Sequence, residues 1–187
     1  SELPLMGVRA PCPSELVFED CRVPKENLIV PPGEGLKRTL QLFEVGRATM
    51  AIGAVGMAQA AIDASIRYAK ERHQFGKLIG SFQLIQEMIV DMIALTESSR
   101  LLAFRALSML DKGVKCDRET SIAKFYATEA AVKVTSMAIQ VHGAMGLSEE
   151  MPVERFFRDA RVWTIPDGAT QIQKLVIGRN VLGLNAI

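Results

Sequence analysis

The sequence is poor in the residues that build metal and disulfide sites. Its 187 residues include two histidines, His73 and His142, and three scattered cysteines. Two isolated imidazoles are too few for a histidine-rich metal centre. An odd number of cysteines without C-x-x-C spacing is typical of free thiols in a reducing compartment. We therefore expect no metal site, and a location in a reducing compartment.

The chain also lacks a charge imbalance and a long apolar run. Its net charge is +1, so no broad positive field is expected to attract nucleic acid or an acidic membrane. The longest apolar run, Ala48 to Ala58, is shorter than the roughly 20 residues of a membrane-spanning helix. We expect no nucleic-acid partner, signal peptide or membrane span. Because the first residue is Ser1, we also expect a processed chain or a fragment.

Proline is nearly absent after the N-terminal segment. Six of the eight prolines fall within the first 32 residues, which excludes a helix there. Within that segment, residues 15–19 suit a short strand and residues 31–35 suit a linker. From Leu36 onward the apolar spacing becomes helical.

Three long helices and two short ones account for the rest of the chain. The spacing predicts helices over about 36–72, 82–112, 117–143, from 152 and over 170–182. Ser81 is the expected N-cap of the second helix, and Ile122 and Phe125 are expected to face inward on the third. The fold prediction is an all-α, up-and-down bundle preceded by a short β or irregular segment. We divide the chain into residues 1–32 and 33–187.

Arg47 interrupts the apolar stripe of the first helix. A buried arginine is expected to pair with another group, because an unpaired buried charge is costly. Glu44, or a carboxylate from another helix, is the expected partner.

Donor groups are concentrated at the end of the first helix, in Lys70-Glu-Arg-His-Gln-Phe-Gly-Lys77. Cations there would satisfy the last carbonyls and the negative end of the helix dipole. That interpretation leaves Phe75-Gly76 unexplained, whereas a guanidinium beside an aromatic ring suits a planar, phosphate-bearing ligand.

The third helix ends in the glycine-rich stretch Gln140-Val-His-Gly-Ala-Met-Gly146. This pattern is typical of a C-cap and turn, or of a backbone surface that a cofactor approaches closely. It is no dinucleotide fingerprint, because that motif opens a helix after a strand. His142 is expected to be a structural imidazole.

The most informative stretch is Pro166-Asp167-Gly168, just ahead of the last helix. Proline fixes φ and glycine permits a backbone conformation closed to other residues, so the Asp167 carboxylate is held on a stiff corner. Such a group is either a helix cap, a role that Thr170 could take instead, or a base aimed at a substrate.

The order and spacing of these segments resembles the C-terminal part of the acyl-CoA dehydrogenases, flavin enzymes that desaturate acyl-CoA thioesters. Residues 18–28 look like the close of that family's middle β domain. Further matching segments are Gly33-Glu-Gly35, Gly46-Arg47, Glu71 to Lys77, Phe82-Gln83, Gln140 to Gly146, Pro152-Val-Glu-Arg155, Arg158-Asp-Ala-Arg161 and Gly168 to Gln173.

The resemblance implies a cofactor, FAD, and a set of residues around it. Arg72, Gln74, Phe75 and Gln83 would help to hold FAD. The turn of Gln140, Val141, His142, Gly143 and Ala144 would meet the FAD of a neighbouring subunit. Ala169, Thr170 and Gln171 would lie near the flavin.

The resemblance also implies a reaction. Asp167 would remove the proton α to the thioester carbonyl while a β hydride passes to the flavin. Arg47, Glu44 and Gly168 would lie near the bound acyl-CoA. An electron-transfer flavoprotein or a similar acceptor would take the electrons, and the protein would assemble as a homodimer or homotetramer.

Three positions depart from the family pattern, and one of them is Pro166, where the family usually has an aromatic residue. Asp167 stands where most members carry the glutamate that acts as base. Some members place the base at the position of Gly46 instead, but glycine has no side chain to act as one. Asp167 is therefore the candidate base among these two positions. Ala144 replaces the second glycine of a pair. Three interpretations stay open: a dehydrogenase with a branched, cyclic or aromatic acyl substrate, a nitroalkane-oxidase-like enzyme that uses O₂, or a non-catalytic member.

Overall fold

The N-terminal segment is irregular and is tied to the bundle by hydrogen bonds of Met6 and Val8 with neighbouring residues of one helix. The structure, a computed structural model, describes residues 3–11 and 13–186, so Cys12 lies outside the described residues. A 3-10 turn, Lys25–Asn27, is its one helical piece among those residues. The backbone N–H of Val8 donates to Asp159 Oδ1 at 2.6 Å, which ties the segment to a later helix.

The strand predicted at residues 15–19 is wrong. Leu16, Val17 and Phe18 are each more than 70 % exposed, and no strand pairs with them in the described part of the chain. A single extended segment without a hydrogen-bonded neighbour is not stable as a strand in water.

In the described residues five α-helices form the bundle, which confirms the all-α prediction. The regular elements are α1 (Gly35–Glu71), β1 (His73–Gln74), β2 (Lys77–Leu78), α2 (Gln83–Asp111), α3 (Asp117–His142), α4 (Val153–Trp163) and α5 (Thr170–Leu182). Short 3-10 turns at Ile79–Ser81 and Gly143–Leu147 precede α2 and follow α3. The two strands pair antiparallel as a small hairpin. Helix α3 packs against each of the other four helices and is therefore the centre of the fold.

The core is built mainly from alanine. The fully or nearly fully buried alanines of α1 and α3 include Ala48, Ala51, Ala54, Ala58, Ala61, Ala123, Ala127, Ala131 and Ala138. Small side chains let two helix axes approach closely, since the axial distance depends on the side chains at the contact. Two of the largest fully buried side chains, Lys124 and Gln173, are polar. Both lie beneath the Asp167 corner.

Helix α1 is also long and apolar enough to cross a membrane, by length and composition alone. Ten of its residues, among them Arg47 and Ser65, are buried in this bundle. The core helix of a soluble protein passes the same test, so this feature is weak evidence for a span.

Three details of the helices differ from the sequence-based predictions. Phe82, not Ser81, is the N-cap of α2, because the Ser81 hydroxyl donates to the Leu78 carbonyl at 2.7 Å within the preceding turn. On α3, Ile122 and Phe125 are only partly buried, whereas Lys124 is fully buried. The buried face of α3 is therefore rotated about the helix axis from the predicted one, so that it includes polar residues such as Lys124.

Candidate active site

The Asp167 corner has a strained backbone. Asp167 has φ +54° and Gly168 has φ +95°, so two consecutive residues lie in the left-handed region. Glycine adopts that region freely, but an aspartate there costs on the order of 1 kcal/mol. Such a conformation persists only where the surrounding structure enforces it.

Asp167 does not cap α5, so that interpretation is wrong. The N-cap is Ala169, and no side chain makes the capping hydrogen bond. Thr170 is the first helical residue, and its hydroxyl donates to the Glu129 carboxylate at 2.6 Å. In the described part of the chain, none of the ion pairs within 4.0 Å includes the Asp167 carboxylate, although its charge acts on Lys124 and Arg47. A capping role therefore does not explain the place of the carboxylate.

Two fully buried side chains hold the backbone of the corner. Lys124 Nζ donates to the carbonyls of Gly168 at 2.8 Å and Thr164 at 3.2 Å. Gln173 Nε2 donates to the carbonyls of Asp167 at 2.9 Å and Gly168 at 2.8 Å. Burial lowers the pKa of Lys124 to about 8, against the opposing effect of Asp167.

Sequence reasoning assigned no role to Lys124 or Gln173. The available signal was a lysine at a position that α3 buries, three residues after Ser121 and four before Thr128. Helical spacing places these three polar residues on one face, but a polar face is ordinarily the one exposed to solvent. The apolar residues at Ile122 and Phe125 drew the prediction to a neighbouring face.

Gly46 on α1 lies directly against the Asp167 carboxylate. A Cβ built on Gly46 would overlap Asp167 Oδ2. The glycine therefore provides the room that the carboxylate occupies. It also shows that the two positions at which the resemblance allows a base converge on one place in this fold.

Arg47 is buried beside this corner and has unused donors. It is 8 % exposed, its Nη1 donates to the Ser121 hydroxyl at 3.5 Å, and its Nε has no partner among the described residues. Burial lowers the pKa of Arg47, and the carboxylates of Glu44, Asp117 and Asp167 oppose that shift. None of the ion pairs within 4.0 Å in the described chain includes Arg47, so the direct pair predicted with Glu44 is not formed.

Nine of the predicted cofactor residues line one opening of about 640 Å³ at the other end of α1. They are Arg72, Gln74, Phe75, Gln83, Gln140, Val141, His142, Gly143 and Ala144. The two segments that the resemblance assigns to different FAD molecules thus share a single opening. One ligand can contact both.

A two-residue hairpin turn presents an aromatic ring to this opening. Phe75 has φ +50° and Gly76 has φ +78°, the pair of positive φ angles that a type I′ turn requires. The Phe75 side chain is 91 % exposed and meets the Phe82 ring edge to face, with centroids 6.2 Å apart.

His142 is a structural residue in the opposite wall, as expected from the sequence. Its ring stacks on Tyr68 with centroids 4.4 Å apart, and Nδ1 donates to the Ala138 carbonyl at 2.7 Å. Burial lowers the pKa of His142. Gly143, with φ +59°, is the C-cap of α3 and turns the chain away.

The other three predicted cofactor residues lie at the start of α5. Thr170 and Gln171 line a separate opening of about 500 Å³ together with Glu129 and Lys174, and Ala169 precedes them. In the described part of the chain, no three His, Cys, Asp or Glu side chains are grouped as metal ligands. Cys21 is exposed and Cys116 is buried, both as free thiols.

Comparison with known proteins identifies the family. Residues 33–182 match the acyl-CoA dehydrogenase C-terminal domain. The chain belongs to the acyl-CoA dehydrogenase family. It is 44 % identical to the mitochondrial short-chain specific acyl-CoA dehydrogenase of Rattus norvegicus over 177 aligned residues. The aligned region covers 95 % of this chain and 43 % of the relative.

Two further relatives frame the comparison. The chain is 41 % identical to the caffeyl-CoA reductase-Etf complex subunit CarC of Acetobacterium woodii, over 95 % of this chain and 47 % of that protein. The structure of butyryl-CoA dehydrogenase from Megasphaera elsdenii superposes with a TM-score of 0.95 at 36 % identity, over 97 % of this chain and 48 % of that one. The chain thus spans less than half the length of each relative.

Proposed function

We propose that this chain is the C-terminal domain of an FAD-dependent acyl-CoA dehydrogenase in which Asp167 is the base that removes the α-proton. Residues 1–32 would then close a middle β domain. The observation that carries this proposal is the Asp167 carboxylate, which caps no helix and sits on a strained corner beside a buried arginine. Backbone strain at a carboxylate that caps no helix is typical of a functional site.

The chemistry needs a carboxylate of fixed direction. A proton α to a thioester carbonyl is weakly acidic, so the base must lie within hydrogen-bonding reach of it as the carbonyl oxygen gains charge. Asp167 accepts that proton. Gly168 adds no side chain next to the thioester, and Glu44 lies on the same side of α1 as Arg47. The unpaired Nε of Arg47 is a donor that a polar part of the substrate can use.

The residues of the second opening fit FAD. An exposed aromatic ring, a guanidinium and side-chain amides suit a planar cofactor that carries anionic groups. Arg72, Gln74, Phe75 and Gln83 would hold it from one wall and the turn of Gln140 to Ala144 from the other. Ala169, Thr170 and Gln171 would contact it at the start of α5. FAD, when bound, supplies the acceptor for the β hydride, so that the product is a 2-enoyl-CoA.

The partners follow from the same proposal. The substrate is an acyl-CoA, and the electrons leave to an electron-transfer flavoprotein or a similar acceptor. The name of the CarC relative, a subunit of a complex with Etf, supports this choice of acceptor. We propose a homodimer or homotetramer, in which one FAD contacts both walls of the opening. The relatives include mitochondrial and bacterial proteins, and we propose a matrix or bacterial cytoplasmic location.

Replacing Asp167 tests the assignment of the base. Asp167→Asn in the complete flavoprotein is expected to lower kcat for its best acyl-CoA by about 100- to 10,000-fold, the range typical of a general base. FAD content should not change. Asp63→Asn is the matched control, since Asp63 also lies on the bundle but only accepts a hydrogen bond from Gln59. Full activity in Asp167→Asn would show that the base is elsewhere.

The substrate panel separates the remaining interpretations. Straight-chain, branched, cyclic and aromatic acyl-CoAs are compared with an artificial electron acceptor. Fast reduction by a nitroalkane followed by rapid reoxidation with O₂ would favour an oxidase instead. A complete protein that contains no flavin and cannot be reconstituted would indicate a non-catalytic member.

A further inference from the structure

The Asp167 corner is supported from beneath by two polar side chains that solvent does not reach. Lys124 and Gln173 are both 0 % exposed. Between them they donate hydrogen bonds to the carbonyls of Thr164, Asp167 and Gly168, at 2.8 to 3.2 Å. These carbonyls lie on both sides of the Asp167 side chain along the chain. We call Lys124 and Gln173 the clamp.

Stability alone does not explain a buried lysine. Taking an ammonium group out of water is costly, and apolar residues of similar volume often replace buried charged groups without loss of stability. The charged groups around Lys124 are Asp167 at the corner, Arg47 on α1 and Glu129 on α3 itself. Arg47 repels it, and none of the ion pairs within 4.0 Å in the described chain involves it. Its contacts serve the corner.

Gly168 is required for this arrangement. A Cβ on Gly168 would lie 2.6 Å from Gln173 Nε2, too close for the hydrogen bond to its carbonyl to survive unchanged. The left-handed backbone at Gly168 and the close approach of Gln173 therefore depend on each other. The strained conformation at Asp167 is thus enforced by specific partners.

We propose that Lys124 and Gln173 are positioning residues that fix the direction of the Asp167 carboxylate toward the substrate. This inference rests on the proposed role of Asp167 as the base. Neither side chain touches the substrate. The clamp prevents the corner from relaxing out of the left-handed region, a change that would swing the carboxylate away from Gly46.

The test separates positioning from folding. Lys124→Met and Gln173→Met keep the volume and remove the donors in the complete flavoprotein. Each is expected to lower kcat by about 10- to 100-fold, because a displacement of about 1 Å of a catalytic group costs that much. KM and FAD content should stay within about two-fold, and the thermal midpoint should be unchanged or higher.

A second readout follows the proton itself. Exchange of the α-hydrogen of an acyl-CoA with D₂O reports on the base without a full turnover, and it should slow by the same factor as kcat. Thr135→Val is the matched control. Thr135 is equally buried on α3, but its hydroxyl bonds only carbonyls of its own helix. It should leave kcat and exchange unchanged.

The outcomes are distinct. Parallel losses of kcat, FAD content and thermal midpoint in both clamp variants, or failure of both to fold, would overturn the proposal and make the clamp a folding determinant. If only Lys124→Met fails to fold, Gln173→Met decides, since it removes no charge. Unchanged kcat in the clamp variants with a large loss in Asp167→Asn would refute the clamp and keep the base. Full activity in Asp167→Asn would refute the proposed function instead.

Discussion

The Asp167 corner and the Phe75 turn share a backbone conformation and differ in everything around it. Each is a non-glycine residue with φ near +50°, followed by a glycine that is also left-handed. Asp167 is partly buried above two fully buried donors. Phe75 stands 91 % exposed at the tip of a two-stranded hairpin. One turn is fixed by its surroundings and the other only by its own geometry.

The difference separates chemistry from binding. The proposed base must hold its direction to within a fraction of an ångström before substrate arrives, and Lys124 and Gln173 of this chain hold the backbone on which it stands. An aromatic ring that stacks on a ligand gains its burial from the ligand, so it is exposed until the ligand binds. The backbone of the corner is therefore held from within this chain, whereas the exposed Phe75 ring fits the proposed role of one wall of a binding site.

Of the changes that compare the two turns, the largest effect is expected from filling the space beside the corner. Gly46→Ala places a methyl carbon too close to Asp167 Oδ2 for both to keep their positions, so the carboxylate must move. We expect kcat to fall by about 100-fold while FAD binding is retained. Steady-state kinetics and flavin spectra measure the two effects.

Gly56→Ala on the same helix is the control for Gly46→Ala. No atom lies within 4 Å of the Cβ that it adds, so it should keep full kcat and gain about 0.5 to 1 kcal/mol in stability. Equal kcat in Gly46→Ala and Gly56→Ala would mean that the corner is not held against α1. The contrast between a fixed and an open turn would then fail.

A smaller effect is expected at the open turn. Phe75→Ala removes a ring that contacts little of the described chain except Phe82, so folding stability should change by less than about 0.5 kcal/mol. FAD affinity should fall by about 10-fold, the loss of one aromatic contact of about 1.4 kcal/mol. Flavin titration of the apoprotein measures it.

Leu101→Ala tests whether any exposed apolar side chain would give the same result. Leu101 is 70 % exposed on α2 and does not line the opening of Phe75. Its variant should bind FAD normally. Unchanged FAD affinity in Phe75→Ala would remove the hairpin from the binding site and leave its strained turn without a ligand role.

How far the sequence predicts the fold depends on which contacts decide each element. Helical spacing predicted the five helices of the described chain, and Pro166-Asp167-Gly168 was recognised as a corner, because local rules govern both. The strand at residues 15–19 failed because a strand needs a partner that is not in the described chain. Ser81 failed as an N-cap because its hydroxyl bonds the turn before the helix.

The support of the corner could not be predicted in the same way. Lys124 and Gln173 donate hydrogen bonds to Gly168, from which they are 44 and 5 residues away in the sequence. The packing of α3 and α5 against the α4–α5 connection brings them there. Apolar residues at Ile122 and Phe125 suggested a different buried face, and only the tertiary structure shows that α3 turns a polar face inward. The family pattern predicted which residues form the site, but it did not predict which side chains hold them in position.

The smallest effect concerns the charge on Lys124, and it is measured by pH. In the unfolded chain a lysine keeps its proton up to about pH 10.4, whereas burial lowers its pKa in the folded protein to about 8. Between these values the unfolded state binds more protons, so stability rises with pH. From pH 7 to pH 9 the free energy of unfolding of the wild type should therefore gain about 1 kcal/mol relative to Lys124→Met. Urea unfolding of both proteins at the two pH values measures this difference, and Lys133→Met, an exposed lysine on the same helix, should show no such gain.

A constant difference between wild type and Lys124→Met would mean that the ammonium at the corner is as well solvated as a surface lysine. The corner would then be open to water like the Phe75 turn.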